Sequence, residues 1–271
     1  MHTLLCSTGA LITSKNGRNY NLLSNIAPHI PCDGFEFMMY RSWYDIWEQL
    51  AEDLSKMKVP FPTFHVDKSI GELISRNGEG DSVQARKWFE INCKIARTIG
   101  AKKLVLHLWG GLPSDKNIEY NIAQYEILQE IADRFELLLT VENVVCNQED
   151  PLRHFWQLKE KYPTIAFTFD VRFARFHGQL DTVFGDGYDW LWSAVRHIHI
   201  SDYAGGYMDW TKLQSLHPLE GNVDFPKVFQ NLKQQTSIET VTIESTSVLP
   251  DGEIDFEKIN RSLAYLRRLM E

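Results

Sequence analysis

The sequence predicts an α/β fold, specifically a (β/α)8 TIM barrel. Three observations support this. Short apolar runs that end in polar residues alternate with helical stretches along the chain. Glu142 and Asp170 lie 28 residues apart, and Asp170 and His199 lie 29 apart, which is close to one strand–helix unit each time. The length of 271 residues fits one barrel, which typically needs about 250. No segment resembles a linker, so we expect residues 1–271 to form a single domain.

Eight apolar runs are predicted to be the strands of the barrel. In chain order they are Leu4–Thr8, Gly34–Met38, Pro62–Val66, Lys103–His107, Leu137–Glu142, Ile165–Asp170, His197–Asp202 and Thr240–Glu244. Side chains alternate between the two faces of a strand. The last four runs therefore place polar residues on one face and apolar residues on the other. We expect helices to cover the apolar face and a site to lie at the polar ends.

Helical stretches lie between these runs. Asp150 followed by Pro151 is typical of a helix start, with an N-cap and then proline at the first helical position. The predicted helices are Ser42–Met57, Ser82–Ile99, Asn117–Phe135, Asp150–Tyr162, Asp224–Gln234 and Phe256–Met270. The 45 residues from His199 to Glu244 exceed one unit and predict an extra loop at Tyr203–Gly221.

A doubly wound open sheet is the alternative architecture. That fold would be favoured by a glycine-rich G-x-G-x-x-G turn after the first strand, which this sequence lacks. Its ligands would also not converge from so many strand ends. The closed barrel is therefore the predicted fold.

Composition narrows the classes of partner and compartment. The net charge is −8, which disfavours nucleic acid, because phosphate binding needs clustered Lys and Arg. No apolar run reaches the roughly 18 residues of a membrane span, so we expect no membrane partner. The cysteines form no C-x-x-C pair, which indicates a reducing compartment and predicts a cytoplasmic protein. The aromatic segment Tyr188–Trp192 is a candidate surface for a homo-oligomer.

Four polar residues lie at or near the ends of the last four apolar runs. They are Glu142, Asp170, His199 and Glu244. The carboxyl ends of parallel barrel strands meet at one edge of the barrel, so these side chains are expected to converge. Three carboxylates and one imidazole suit Mn²⁺, Mg²⁺, Co²⁺ or Zn²⁺. The sequence therefore predicts a site for one divalent metal ion, without choosing among these ions.

Seven motifs in order carry a resemblance to a known family. They are Phe61–His65, Lys102–His107, Thr140–Asn143, Phe167–Asp170, His197–Asp202, His217–Asp224 and Thr242–Glu244. The chain resembles the xylose isomerase-like TIM-barrel superfamily, and within it the sugar phosphate isomerases and epimerases, from about Gly34 to its C-terminus. The resemblance implies one metal held by Glu142, Asp170, His199 and Glu244. It also implies a substrate that is a small sugar, a sugar phosphate or a related polyol or keto acid.

The chemistry of these residues is consistent with that implication. Moving a proton next to a carbonyl needs a base, an acid and a group that stabilises the developing enediolate oxygen. A divalent metal can stabilise that oxygen. Glu142 and Glu244 come from the fifth and eighth strands, so we expect them to reach opposite faces of a flat intermediate. One carboxylate would remove the proton and the other would return it.

Seven further residues are predicted to contact the substrate. They are His65, His107, Trp109, Arg172, His177, Asp202 and His217. Several have structural alternatives. His65 and His107 could be hydrogen-bonded core imidazoles, Trp109 could pack within a loop, and His217 could cap a turn. Arg172 could pair with a substrate phosphate or carboxylate, or bridge carboxylates of the barrel.

One position departs from the family pattern. The family often has His three residues after the sixth-strand Asp, where this chain has Phe173. His177 lies in a longer segment after Asp170 and is the candidate for that role. Glu36 ends the second strand and is predicted to orient His65. Asn143, Asp202 and Thr242 are predicted to hold the metal ligands by hydrogen bonds.

Two other functions remain open from the sequence. An endonuclease IV-like zinc phosphodiesterase shares this barrel and uses a three-zinc cluster, and the chain keeps much of its ligand set. Phe173, the acidic charge and the absence of a basic stripe disfavour it. A catalytically silent sugar-binding barrel is the other alternative. The number of metal ions per chain distinguishes the isomerase from the phosphodiesterase.

Overall fold

The computed structural model describes residues 3–271 and contains a closed barrel of parallel strands in the order β1 to β8. The strands are β1 (Thr3–Ser7), β2 (Gly34–Met38), β3 (Thr63–His65), β4 (Lys103–Leu106), β5 (Leu138–Glu142), β6 (Ala166–Asp170), β7 (Val195–Ile200) and β8 (Thr240–Ile243). Each predicted strand is present, with ends that differ by one or two residues. The prediction of a TIM barrel is confirmed.

Helices separate the strands. They are α1 (Leu23–Ile26), α2 (Trp47–Lys56), α3 (Ser69–Arg76), α4 (Asp81–Thr98), α5 (Ile118–Arg134), α6 (Pro151–Lys161), α7 (Val171–Phe176), α8 (Asp189–Trp192), α9 (Phe225–Leu232) and α10 (Phe256–Met270). The first part of the predicted Ser42–Met57 helix is a 3-10 segment, Arg41–Ile46. The sequence did not predict α1, α3, α7 or α8, which have four to eight residues and show no clear helical period.

The chain divides into two compact units, with boundaries inside β2 and β6. The first unit comprises the chain up to Glu36 together with Phe169–Glu271, and the second comprises Phe37–Thr168. A single domain over residues 1–271 remains a prediction.

In the first unit, β1 pairs with β2 and β8, and β7 pairs with β8. The register places His199 opposite Thr242, so their side chains lie on the same face of the sheet. On the other face, the ring of Phe169 packs against Trp192, with 5.1 Å between ring centroids. Strand alternation in this unit therefore directs polar residues inward and aromatic residues toward helices.

In the second unit, β3, β4, β5 and β6 pair in sequence order. Inside, the hydroxyls of Thr140 and Thr168 are hydrogen-bonded at 2.7 Å. Outside, Phe167 stacks on Phe155 of α6 at 3.9 Å between centroids. Burying one such ring contributes roughly 1.5–3 kcal/mol, so this contact helps to hold α6 against the sheet.

The predicted interface segment is not an exposed aromatic surface. Trp192 is buried, stacks on Phe184 at 4.8 Å, and donates its indole N–H to the carbonyl of Val183 at 2.7 Å. A homo-oligomer remains a prediction, but Tyr188–Trp192 does not support it. Within residues 3–271, every helix is too short or too polar to cross a lipid bilayer.

Candidate functional site

The first unit brings three of the four predicted metal ligands together. Ligand atoms of Asp170, His199 and Glu244 all lie within 4.8 Å of one another. Asp170 is the last residue of β6, and Glu244 directly follows β8. The backbone N–H of Glu244 donates to the carbonyl of Ile200 at 3.0 Å, which continues the β7–β8 pairing by one residue.

Asp170 also begins α7. Its Oδ1 accepts the backbone N–H of Phe173 at 2.7 Å, which is an N-cap bond. This bond fixes the orientation of the buried carboxylate. Phe173, the position where the family often has His, contributes its backbone N–H to this cap.

Glu36 orients the ring of His199 through a hydrogen bond to Nε2. Its Oε2 accepts from Nε2 of His197 at 2.7 Å, Nε2 of His199 at 3.2 Å and the hydroxyl of Thr242 at 3.3 Å. Burial opposes ionisation, but the rings of His199 and His197 outweigh it and hold the pKa of Glu36 well below its usual range. An ionised carboxylate only accepts hydrogen bonds. Both imidazoles therefore carry a proton on Nε2.

In a neutral His199 this tautomer leaves a lone pair on Nδ1. Nδ1 lies 3.5 Å from Oε2 of Glu244, so a neutral His199 places two acceptors close together. Oε1 of Glu244 is buried and has no hydrogen-bond partner among residues 3–271. Buried acceptors of this kind are costly unless a proton or a metal ion lies between them. Asp170, His199 and Glu244 are therefore chemically suited to hold a divalent cation.

The second unit holds the fourth predicted ligand, Glu142, beside two histidines. Nε2 of His107 lies 2.6 Å from Oε2 of Glu142, and Nε2 of His65 lies 3.5 Å from the same oxygen. Burial lowers the pKa of His107 to about 4, although Glu142 opposes the shift. His107 is therefore neutral near pH 7. Nδ1 of His65 donates to the carbonyl of Val66 at 2.9 Å, which turns Nε2 toward Glu142.

Two of the predicted substrate residues are buried and hydrogen-bonded within their surroundings. Trp109 is fully buried and donates its indole N–H to the carbonyl of Val144 at 3.1 Å, so it packs within its loop. The ring nitrogens of His217 are engaged by Ser262 at 2.8 Å and by the carbonyl of Thr246 at 3.1 Å. These bonds hold Trp109 and His217 within the fold, and their contact with substrate stays a prediction.

Asp202 anchors the long loop after β7. Its carboxylate accepts four backbone N–H bonds of 2.8–3.0 Å, from Tyr203, Leu219, Gly221 and Val223. A side chain at Gly221 would collide with Asp202 and with the Tyr203 carbonyl, so glycine is needed for this close approach. Asp202 thus closes the Tyr203–Gly221 loop, and its acceptor capacity is committed to the backbone.

The two remaining predicted residues lie on and after α7. Arg172 follows Asp170 by two residues, and one of its terminal nitrogens lies 3.8 Å from Oδ2 of Asp170. His177 is buried at the end of α7, where its ring contacts Phe176 with 5.0 Å between centroids. The role of His177 in substrate binding stays a prediction.

The sequence indicated Glu36 but not the two histidines that are its partners in the first unit. We predicted that Glu36 orients His65, and its hydrogen bonds in the first unit go to His197 and His199. The signal in the sequence was the polar end of β2. The partner depends on how β2 and β7 face each other across the barrel interior, which strand periodicity does not specify.

Comparison with known proteins gives a clear result for the fold. No family model and no curated protein matches the sequence. Among solved structures, the chain is similar to 3-keto-D-glucoside 4-epimerase YcjR from E. coli, with TM-score 0.68, 16% identity, and coverage of 99% of this chain and 100% of that chain. The chain has a xylose isomerase-like barrel fold.

Two further structures share this barrel. An L-ribulose 3-epimerase matches with TM-score 0.71 and 14% identity, over 100% of this chain and 95% of that chain. The IolI protein, solved with a bound zinc atom, matches with TM-score 0.72 and 14% identity, over 99% of this chain and 98% of that chain. At these identities the likeness establishes the xylose isomerase-like fold and leaves the reaction to be argued from the site.

Proposed function

We propose that this protein is a divalent-metal-dependent isomerase or epimerase that acts on a small sugar, a sugar phosphate or a related polyol or keto acid. The observation that carries the proposal is the convergence of ligand atoms of Asp170, His199 and Glu244 within 4.8 Å of one another, with Nδ1 of His199 3.5 Å from Oε2 of Glu244. A cation held there would stabilise negative charge on a substrate oxygen. That requirement is shared by proton transfers next to a carbonyl.

Glu142 is proposed as the fourth ligand. It ends β5, and β6 with Asp170 is the next strand of the barrel. The carboxyl ends of neighbouring parallel strands lie at the same edge, which supports a shared site. The oxygen-rich set with one imidazole suits Mn²⁺, Mg²⁺, Co²⁺ or Zn²⁺, and the zinc in the IolI structure is consistent with this range.

The bound metal would supply Lewis-acid stabilisation and would orient the substrate oxygens. Glu142 and Glu244 act as the acid–base pair, one removing the proton and the other returning it. Glu36 holds His199 in the tautomer that presents Nδ1. His107 is neutral near pH 7 and is suited to hydrogen-bond a substrate oxygen without competing for the metal's charge.

Structural neighbours support this reaction class. Both YcjR and the L-ribulose enzyme are named as epimerases of sugars or their derivatives. The four cysteines are free thiols, which is consistent with the proposed cytoplasmic location. A small carbohydrate is the proposed partner.

The test is proton exchange with solvent. Metal-loaded protein is incubated in deuterated water with a panel of ketoses and ketose phosphates, and products are followed by NMR. We expect at least one substrate to be isomerised or epimerised with deuterium at the reacting carbon. A metal-loaded protein that leaves every member of a broad panel unchanged and unexchanged would argue for the silent sugar-binding barrel.

One observation favours a second candidate, the zinc phosphodiesterase. Ligand atoms of His65, His107 and Glu142 also lie within 4.8 Å of one another. Two histidines and a glutamate are a known zinc triplet. The net charge of −8 opposes a nucleic-acid substrate, so this remains the less favoured function.

A prediction follows from the role of Glu36. We expect Glu36→Gln to weaken metal affinity by about 10–100-fold, the usual effect of losing the partner that orients a metal-binding histidine. Chelator competition measures this affinity directly. Glu257→Gln removes the same charge from an exposed position of α10 and should leave the affinity unchanged. Equal affinities in Glu36→Gln and wild type would contradict the orienting role.

A further inference from the structure

We infer that Arg172 binds the anionic group of the substrate, so that the substrate is a sugar phosphate or a sugar acid rather than a neutral sugar. This inference rests on the proposed function and deepens it. The sequence left open whether Arg172 faces a substrate or bridges carboxylates of the barrel. Its surroundings in the first unit favour the substrate.

The guanidinium of Arg172 is buried without adequate partners. The residue is 8% exposed, and its Nε is a buried atom with no hydrogen bond to any of residues 3–271. Its ionic contact is with Oδ2 of Asp170 at 3.8 Å, too long for a hydrogen bond. Its other contact is the ring of Phe173, 4.3 Å from the guanidinium carbon. A buried charge of this kind is costly unless it is paired and hydrogen-bonded.

Two other arginines in the chain form paired hydrogen bonds to a carboxylate. Arg76 makes two hydrogen bonds of 2.6 and 2.7 Å to Asp81, and Arg267 makes two of 2.9 Å to Asp33. Both guanidiniums are far more exposed than that of Arg172. Arg172 is therefore the most buried of these three side chains, and among residues 3–271 its guanidinium has no carboxylate at hydrogen-bond distance.

The position of Arg172 indicates what could complete it. It lies two residues after Asp170, the proposed metal ligand, on the short helix that Asp170 caps. A divalent cation bound by Asp170 would neutralise the carboxylate that contacts Arg172. The guanidinium would then need an anion from outside the chain. Phosphate and carboxylate both match its fork through two parallel N–H···O bonds.

The experiment compares matched ligands on metal-loaded protein by calorimetry. The probes are D-fructose, D-fructose 6-phosphate and D-glucuronate, which separate a neutral sugar from a phosphate and from a carboxylate. The variants are Arg172→Gln and Arg172→Lys. Arg175→Gln is the control, because it removes the same charge from the same helix, where Arg175 is paired with Asn222 and Asp181.

We expect wild type to bind one anionic probe more tightly than D-fructose. Arg172→Gln should weaken that anionic probe by about 10–100-fold, the range for a lost charge-assisted hydrogen bond, and should leave D-fructose unchanged. Arg172→Lys should recover part of the preference, and Arg175→Gln should retain all of it. Whether phosphate or carboxylate shows the effect identifies the anion.

Two results would overturn the inference while leaving the proposed function intact. One is metal-loaded wild type that binds D-fructose and both anionic probes equally. The other is an Arg172→Gln variant that weakens neutral and anionic probes alike, which would show that Arg172 supports Asp170. Metal content is measured on every sample. Wild type that binds no divalent metal would remove the proposed function and this inference together.

Discussion

Glu142→Gln and Glu244→Gln are each expected to lower kcat by at least about 10²-fold, the usual minimum for loss of a general acid or base. Glutamine keeps the shape of the side chain but can neither accept nor return the proton. Steady-state kinetics on the best substrate of the ketose panel measures the effect. Metal content is measured together with activity, because each substitution also removes the negative charge of a proposed metal ligand.

Solvent exchange separates the roles of the two carboxylates. If each serves one face of the intermediate, a Gln variant that retains its metal should still exchange the proton of one epimer with deuterium while failing to complete epimerisation. Glu257→Gln, on the exposed side of α10, should behave as wild type. Product formed by wild type with no solvent deuterium would contradict the two-base mechanism and would indicate a hydride shift or a shielded proton.

Removal of the metal is expected to have the second large effect. Metal that binds only the folded state stabilises it by mass action, by about 4 kcal/mol at 1,000 times Kd. Chelator should therefore lower the melting temperature and abolish activity. Asp170→Asn and His199→Ala should each eliminate the metal-dependent rise in melting temperature.

Asp170→Asn tests the metal site more specifically than His199→Ala does. The asparagine carbonyl can still accept the N–H of Phe173, so the cap of α7 is preserved while the ligand charge is lost. His199→Ala also removes a donor from buried Glu36, and part of its effect will be on folding. A melting temperature that is indifferent to chelator and to Asp170→Asn would contradict the assignment of the metal site.

Much of the site could be predicted from local pattern. The period of two residues placed Thr168 and Asp170 on one face, and His197 and His199 on one face, before any tertiary contact was known. Parallel strands of a barrel end at a common edge. Polar residues at strand ends are thereby brought near one another without further information, which is why the convergence of Asp170, His199 and Glu244 could be predicted.

Loop residues could not be predicted in the same way. Asp202 follows β7 by two residues, close to the proposed ligand His199, but its acceptors bind backbone N–H groups as far along the chain as Val223. Residue type alone does not reveal whether a loop folds back onto a carboxylate. The hydrogen bonds of Trp109 and His217 were not predicted for the same reason, since their partners are backbone carbonyls and a distant serine.

Hydrogen-bond partners across the barrel interior could not be predicted from the sequence either. Glu36 and His199 are separated by 163 residues along the chain. Their hydrogen bond depends on the stagger of β2 relative to β7. That stagger is a property of barrel closure, which no single strand encodes.

The number of metal ions per chain tests the central claim most directly. Purified wild type and Asp170→Asn are loaded with Mn²⁺, Co²⁺ or Zn²⁺ in turn, freed of excess ion, and assayed by plasma emission spectroscopy. We expect about one ion per chain in wild type with at least one of these metals, and close to none in Asp170→Asn. Three ions per chain would support the phosphodiesterase, and wild type that retains no ion would contradict a metal-dependent isomerase.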